Sequence, residues 1–363
     1  MKIGIDISPA VYGTGVSDYT VNLVQSLMRT DPDNSYVLFG SSLRRVGDLA
    51  AIFPQARLFR FPPMGLHLLW NVLHTGNIEK FIGSVDVFHS SDWVQPPSRC
   101  PAVTTVHDLS PFLFPSEMKS GFLRNINAVH SARMNWVTRQ CKKIICVSKS
   151  TADELQKLFP VSDSQIEIIP EALPSRFDID ADPDLSKSLL TKYSLSDFIM
   201  TIGTNQPRKN IPRLVKAFLT HKKRFNLPEK LVIVGGQGWG TTDIPDSPDI
   251  IFTGYLSDSE LVALLSRAKA FVYPSLHEGF GLPILVAFRQ KVPVVTSLVS
   301  SLPEVAGDAA ILVDPKNEES IAEGIARAIK ESKRLIPLGE KQLTRFSWEE
   351  TAKKTLMVYS SVC

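Results

Sequence analysis

The stretch from Ala270 to Pro283 constrains the fold of this chain more than any other. Ala270-Phe271-Val272-Tyr273 is a short apolar run rich in β-formers, the pattern of a parallel strand buried on both faces. Pro274-Ser275-Leu276-His277-Glu278-Gly279-Phe280-Gly281-Leu282-Pro283 then reads as a tight turn into a helix. Its glycines accept unusual backbone angles, and Pro283 suits the first helical turn, where a missing N–H is no loss. A buried strand handing over to a helix is the repeating step of parallel α/β architecture.

The turn also carries chemistry. The amides of Gly279, Gly281, Leu282 and Ile284, with Phe280 between them, would surround the positive end of a helix, a site for an anion such as phosphate. Glu278 stands just before that helix, placed to hydrogen-bond sugar hydroxyls beside the anion. A plain helix-capping acid is the alternative for Glu278. Phosphate beside a sugar-binding acid suggests a sugar nucleotide.

Short apolar runs alternate with helical patterns along the whole chain, which predicts parallel sheets with helices on both faces. The strand candidates are 2–7, 36–39, 56–59, 85–89, 102–106, 143–147 and 166–169, then 198–202, 231–234, 250–252, 270–273, 292–296 and 310–313. Helical patterns fit 16–29, 66–82, 122–140 and 150–159, then 211–219, 258–268, 283–289, 320–330, 336–342 and 348–359. Ser148 is the expected lead-in to the fourth of these. The acidic stretch from Asp178 to Asp184 reads as the connection between two domains. A chain of 363 residues exceeds one usual core, so two doubly wound halves are expected, with ligands outside the carboxyl ends of strands.

A net charge of +3 is too weak to argue for nucleic acid. Arg124, Arg133, Arg139, Lys142 and Lys143 load one region, either as an ordinary solvated helix face or as a patch facing anionic lipid headgroups. No apolar run reaches the roughly twenty residues of a membrane span. Cys100, Cys141, Cys146 and Cys363 show no metal-ligand spacing, and reduced thiols in the cytoplasm are the expectation. No His/Cys/Asp/Glu cluster has metal spacing.

Arg208 and Lys209 follow the strand at 198–202 in a loop read as exposed, and a planar fork beside a point charge suits phosphate oxygens. A helix-flanking solvated pair is the plainer reading. His107 follows the strand at 102–106; a packed histidine or a group hydrogen-bonding a sugar both fit. Gly13-Thr14-Gly15 forms the first loop, but Val16, Ser17 and Asp18 complete no dinucleotide fingerprint, which argues against a nicotinamide or flavin site. Gly235, Gly236 and Gly238 suit close backbone packing at another strand end.

Several motifs together resemble the retaining GT-B glycosyltransferases of family GT4, which include bacterial mannosyl- and glucosyltransferases. They are Gly13-Thr14-Gly15, Thr105-Val106-His107-Asp108-Leu109, Val147-Ser148-Lys149-Ser150, Pro207-Arg208-Lys209-Asn210, Val234-Gly235-Gly236, Phe252-Thr253-Gly254-Tyr255-Leu256, the 274–283 segment, and Ser301-Leu302-Pro303-Glu304-Val305-Ala306-Gly307. The resemblance runs nearly end to end. It implies two Rossmann-like domains facing across a cleft, 1–172 and 173–345, with a C-terminal helix in 346–363 crossing back to the first.

It further implies catalytic roles for His107 and Glu278, and diphosphate binding by Arg208, Lys209 and the Gly279-Phe280-Gly281-Leu282 turn. Gly254, Tyr255 and position 286 would face the nucleotide, and Gly13, Thr14, Gly15 and Asp108 the acceptor. The donor would be GDP-mannose first and a UDP-sugar next, and the acceptor a glycan or lipid-linked glycan. No cofactor or metal is implied, because basic residues and a helix terminus replace it. The protein would be cytoplasmic, with peripheral contact at the inner membrane face. One position departs: the family's second signature glutamate, which holds the ribose, is Val286 here. A non-catalytic or atypical-donor protein of the same fold therefore stays open.

Overall fold

Among the described residues thirteen strands form two sheets, and every pairing between these strands is parallel. They are seen in a computed structural model that describes residues 1–114, 126–204, 206–225, 228–236 and 244–363. The chain divides into two compact units, Met1–Glu171 with Ser347–Cys363, and Ala172–Phe346.

The N-terminal unit holds β1 (Lys2–Asp6), β2 (Ser35–Ser41), β3 (Arg57–Phe59), β4 (Val87–Ser90), β5 (Ala102–Val106), β6 (Cys141–Cys146) and β7 (Ile166–Ile168), in the order β3-β2-β1-β4-β5-β6-β7. All residues of β4 and β5 are buried, as a sheet covered on both faces requires. The last helix, Trp348–Val362, belongs to this unit and starts at Ser347, whose hydroxyl accepts the Glu350 amide at 3.1 Å. Its Ala352, Val358 and Tyr359 pack into one core with Tyr19, Leu23, Val24 and Leu27 of the helix Gly15–Thr30.

The C-terminal unit holds β8 (Phe198–Ile202), β9 (Lys230–Val234), β10 (Ile250–Gly254), β11 (Ala270–Tyr273), β12 (Val294–Ser297) and β13 (Ala310–Val313), in the order β10-β9-β8-β11-β12-β13. The order reverses between β8 and β11, and between β1 and β4 in the other unit. Within each unit, the position outside the carboxyl ends of that strand pair is where doubly wound sheets offer a crevice to ligands.

Some expectations need correction. The pattern at 66–82 is not one helix: a helix at Pro63–Leu66 runs into a π-helical turn at His67–Val72, and a separate turn forms at Glu79–Ile82. Positive φ at His74 and Gly76 breaks the path between them. The acidic stretch 178–184 is not a linker but part of the C-terminal unit, and the division falls earlier, after Glu171. Asp178 and Asp180 pair with Arg289, and Asp182 caps the helix Pro183–Lys192 through the amides of Asp184 and Leu185.

Of the 122–140 pattern, the described part is the helix Ile126–Gln140. The described basic residues of that region are divided between this helix and β6. Arg133 is buried and donates to Ser91 O and Thr104 Oγ1, Lys142 and Lys143 lie in β6, and Lys143 pairs with Glu167. Arg124 and Gly238 lie outside the described residues.

Candidate active site

The donor-side residues assemble on Glu278. Arg208 and Lys209 leave a short turn after β8, and Glu278 lies in the loop after β11, 70 and 69 residues away in sequence. Arg208 Nη1 donates to Glu278 Oε2 at 3.0 Å, Lys209 Nζ to Oε1 at 2.7 Å, and the Tyr273 hydroxyl to Oε1 at 2.8 Å. The cluster is largely buried, with side-chain exposures of 18% for Arg208, 13% for Lys209 and 10% for Glu278. The expected exposed loop is thus a packed one, because the carboxylate draws both cations inward. Burial alone would raise the Glu278 carboxyl; Lys209 and then Arg208 overturn it and hold it down at about 2. Glu278 is therefore ionised at neutral pH, and the three charges sum to +1.

The glycine turn sits against this cluster. Gly281 adopts φ 115°, which favours glycine, and the helix Leu282–Arg289 starts directly after it with Pro283 in its first turn. Ile284 N–H already donates to Gly281 O at 3.0 Å, so it is not an open donor as expected, while the Gly281 and Leu282 amides have no partner among the described residues. Ser300 and Ser301 lock the loop. Ser300 Oγ accepts the Glu278 amide at 3.0 Å, and Ser301 Oγ donates to Glu278 O and Phe280 O at 2.9 and 2.7 Å. Phe280 packs edge-on to Phe346 at 5.6 Å. Asn210, at φ 60°, straps the loops together through Pro274 O and Pro315 O at 3.0 and 2.6 Å.

Gly254 and Tyr255 lie at the carboxyl end of β10. Gly254 O accepts Gly235 N–H at 3.0 Å, and a Cβ on Gly235 would meet Gly203 O at 2.4 Å. A Cβ on Gly236 would meet the Tyr255 ring at 2.8 Å, yet Tyr255 itself is 80% exposed. These glycines serve close approach, and Tyr255 offers an open ring. Val286 is in the second half of the Leu282–Arg289 helix and only 3% exposed, among buried Ile284, Leu285, Ala287 and Phe288.

In the N-terminal unit, Gly13 and Thr14 form an exposed turn, with Gly13 at φ 75°, that leads into the helix at Gly15. Ser17 Oγ accepts the Gly13 and Thr14 amides at 2.8 and 3.2 Å. His107 follows β5, and its Nδ1 meets Glu171 Oε1 at 2.8 Å. Asp108 Oδ1 accepts the Ser110 amide at 3.0 Å, just ahead of the turn Ser110–Leu113. An open cavity is lined by His107, Asp108, Asp92, His130 and Arg133, and a neighbouring one by Asp6, Tyr19, His89, Asp92 and His107. Asp92 Oδ1 is buried there with no hydrogen-bond partner among the described residues. Beneath lies a chain of bonds: Tyr19 OH to Thr105 Oγ1 at 2.9 Å, Thr105 to His89 Nε2 at 2.9 Å, and His89 Nδ1 to Tyr359 OH at 2.7 Å. Burial first, then His107 and Arg133, lower His89 to about 3, so it is neutral.

Residues 187–345 match the family described as glycosyl transferases group 1, and residues 13–174 match glycosyltransferase family 4. The O-antigen chain mannosyltransferase B of Escherichia coli is 32% identical over 286 residues, covering 75% of this chain and 74% of that protein. The chain belongs to the family 4 glycosyltransferases. It is a hexosyltransferase enzyme with the GT-B fold. The serotype-specific mannosyltransferase WbdA of Escherichia coli is 31% identical over 270 residues, 69% of this chain but only 32% of that longer protein. Among solved structures, Anabaena HepE in complex with UDP-glucose superposes with a TM-score of 0.73 at 14% identity, covering 99% of this chain and 100% of that one. Sucrose-phosphate synthase from Thermosynechococcus elongatus gives 0.71 at 17% identity, covering 99% of this chain and 98% of that one.

Sequence reasoning about this glycosyltransferase missed Tyr273, Ser300, Asn210, Asp92 and Glu171. Tyr273 was legible only as a strand residue, since its hydroxyl bond to Lys209 Nζ at 2.5 Å depends on which strands are neighbours. Glu171 and His107 are 64 residues apart, and no local pattern links them.

Proposed function

We propose that this glycosyltransferase moves a hexose, mannose before glucose, from a nucleotide-diphosphate donor to a glycan or lipid-linked acceptor in polysaccharide or cell-envelope biosynthesis, with retention of anomeric configuration. The observation that carries the reading is the ionised Glu278 clamped by Arg208 and Lys209 beside the Gly281–Leu282 amides. The donor diphosphate takes the two cations and the helix terminus, in place of a metal ion and with no cofactor. Glu278 receives a sugar hydroxyl. The C1–O bond to phosphate breaks, the acceptor oxygen bonds to C1 on the same face, and the acceptor proton goes to the departing phosphate oxygen. No side chain in this account acts as a general base. The C-terminal unit supplies the donor groups, and the N-terminal unit supplies Gly13–Gly15, His107, Asp108 and Asp92 for acceptor hydroxyls.

Relatives that are O-antigen mannosyltransferases favour mannose as the sugar, and the donor proposed for it is GDP-mannose before a UDP-sugar. No helix among the described residues is long and apolar enough to cross a membrane. We place the reaction in the cytoplasm, with peripheral contact at the inner membrane face where the acceptor is lipid-linked. The second reading, a non-catalytic or atypical-donor protein, rests on Val286, which offers no acceptor to a ribose hydroxyl. A thermal-shift panel of GDP, UDP, ADP and their sugar nucleotides tests both, since a ligand that binds only the folded state raises Tm. Stabilisation by GDP and GDP-mannose, followed by radiolabelled transfer, is expected. Silence across the whole panel sinks the donor assignment.

A further inference from the structure

We propose that Glu171 is a positioning residue for His107. Its carboxylate accepts the Nδ1–H of the imidazole, fixes one tautomer, and leaves Nε2 as a lone-pair acceptor for a sugar hydroxyl. This rests on the reading of His107 as a substrate-facing group.

A carboxylate can only accept, so the 2.8 Å contact places the proton on Nδ1. The tautomer of an imidazole is set by the bond its other nitrogen makes, and Nε2 makes none among the described residues. His107 lines two neighbouring cavities of the N-terminal unit, so the residue belongs to a ligand-accessible wall. A sugar hydroxyl can donate or accept, and the tautomer decides which it must do here.

The ring has little freedom to turn. Tyr19 stands edge-on to it with centroids 4.5 Å apart, and Tyr19 is itself held by Thr105 and by Trp348 at 5.8 Å. Glu171 is held equally well. Its side chain is 5% exposed, and the backbone before it is tied at two points: Ile169 N–H to Cys146 O at 3.0 Å, and Thr351 Oγ1 to Pro170 O at 2.8 Å. The C-terminal helix Trp348–Val362 thus reaches His107 by two routes, through Trp348 on Tyr19 and through Thr351 on the Glu171 segment. A buried ion pair kept only to anchor the end of the N-terminal unit is the competing account, and it makes no demand on tautomer.

Long-range nitrogen–proton NMR of histidine-labelled protein separates the two. Wild-type His107 should show a protonated Nδ1 and a bare Nε2; a protonated Nε2 in the wild type overturns the proposal without any variant. Glu171→Leu, which removes the acceptor, should give mixed tautomers. Glu171→Gln should retain Nδ1–H through its amide oxygen. With a donor in hand, Glu171→Leu should lower kcat by roughly ten- to a hundredfold, more than it changes KM, with partial recovery in Glu171→Gln. In a His107→Ala background the Glu171→Leu change should add nothing. Equal losses in both backgrounds, or an unchanged tautomer in Glu171→Leu, would leave the anchoring account standing. A correct tautomer pattern with no transfer from any nucleotide sugar would count against the proposed function and not against the positioning.

Discussion

Replacing Glu278 by Gln tests the centre of the donor cluster because it removes one charge and almost no volume. Glu278 sits at about 2 against an ordinary 4.5, although burial pushes the other way, so its ionised form is favoured in the folded state by Lys209 and Arg208. A carboxyl depressed on folding adds stability above its unfolded value, and that stability is lost as pH falls toward the folded one. Here the window runs from about pH 4.5 down to about pH 2. The linkage amounts to roughly 3 kcal/mol at pH 7 and roughly half of that by pH 3. Glu278→Gln should therefore lose roughly 3 kcal/mol at pH 7 in urea unfolding followed by circular dichroism, and the gap to wild type should narrow as pH drops to 3. The same substitution raises the local charge from +1 to +2. Calorimetry should then show a nucleoside diphosphate bound at least as tightly, while transfer falls because the sugar hydroxyl meets a neutral amide in place of a charged carboxylate. A stability gap that is absent, or that stays constant from pH 7 to pH 3, would refute the account of the cluster.

Lys209→Ala and Arg208→Ala should each reduce transfer by roughly ten- to a hundredfold, the value of one charge-assisted bond to the diphosphate, with a stability loss of about 1–3 kcal/mol from the released Glu278; wild-type initial rates in both variants would remove the diphosphate assignment. Val286→Glu places a carboxyl at a position only 3% exposed and should lower Tm without improving nucleotide affinity, whereas tighter binding in calorimetry at unchanged Tm would show open ribose space there. His89, lowered to about 3 from 6.5, must stay neutral in the fold, so it supports stability above pH 6.5 and loses it below. Between pH 7 and pH 5 wild type should lose roughly 2 kcal/mol that His89→Asn does not, as read by paired urea melts.

The strands were legible because parallel sheets buried on both faces demand uninterrupted apolar runs, and Phe198–Ile202 or Ala270–Tyr273 offer nothing else to do. Two helical segments were not, for opposite reasons. The pattern at 66–82 runs on across a real break because Leu66, Trp70, Ile78 and Ile82 all feed one core cluster, so periodicity follows the core and not the backbone path. The helix Pro183–Lys192 was hidden by its own acidic lead-in: Asp182 and Pro183 are a helix start, but beside Asp178 and Asp180 they resemble a solvated tether. The site was legible as residue types and not as bonds. Nothing local in Pro207-Arg208-Lys209 foretells a carboxylate partner after β11; only the reversal of strand order, which sets β11 beside β8, brings them together.

That pairing bears on how one carboxylate can hold two cations and still bind sugar. An ionised carboxylate offers about four lone-pair sites. Arg208, Lys209 and Tyr273 fill three of them at 2.7–3.0 Å. A guanidinium carries five N–H groups and an ammonium three, so each cation can bond more than one group at a time. Glu278 and the diphosphate need not compete for Arg208 and Lys209: the acid aims the two cations, and the aimed cations keep the acid ionised. A larger rearrangement would be needed if the three charges were independent, and the burial of all three argues that they are not.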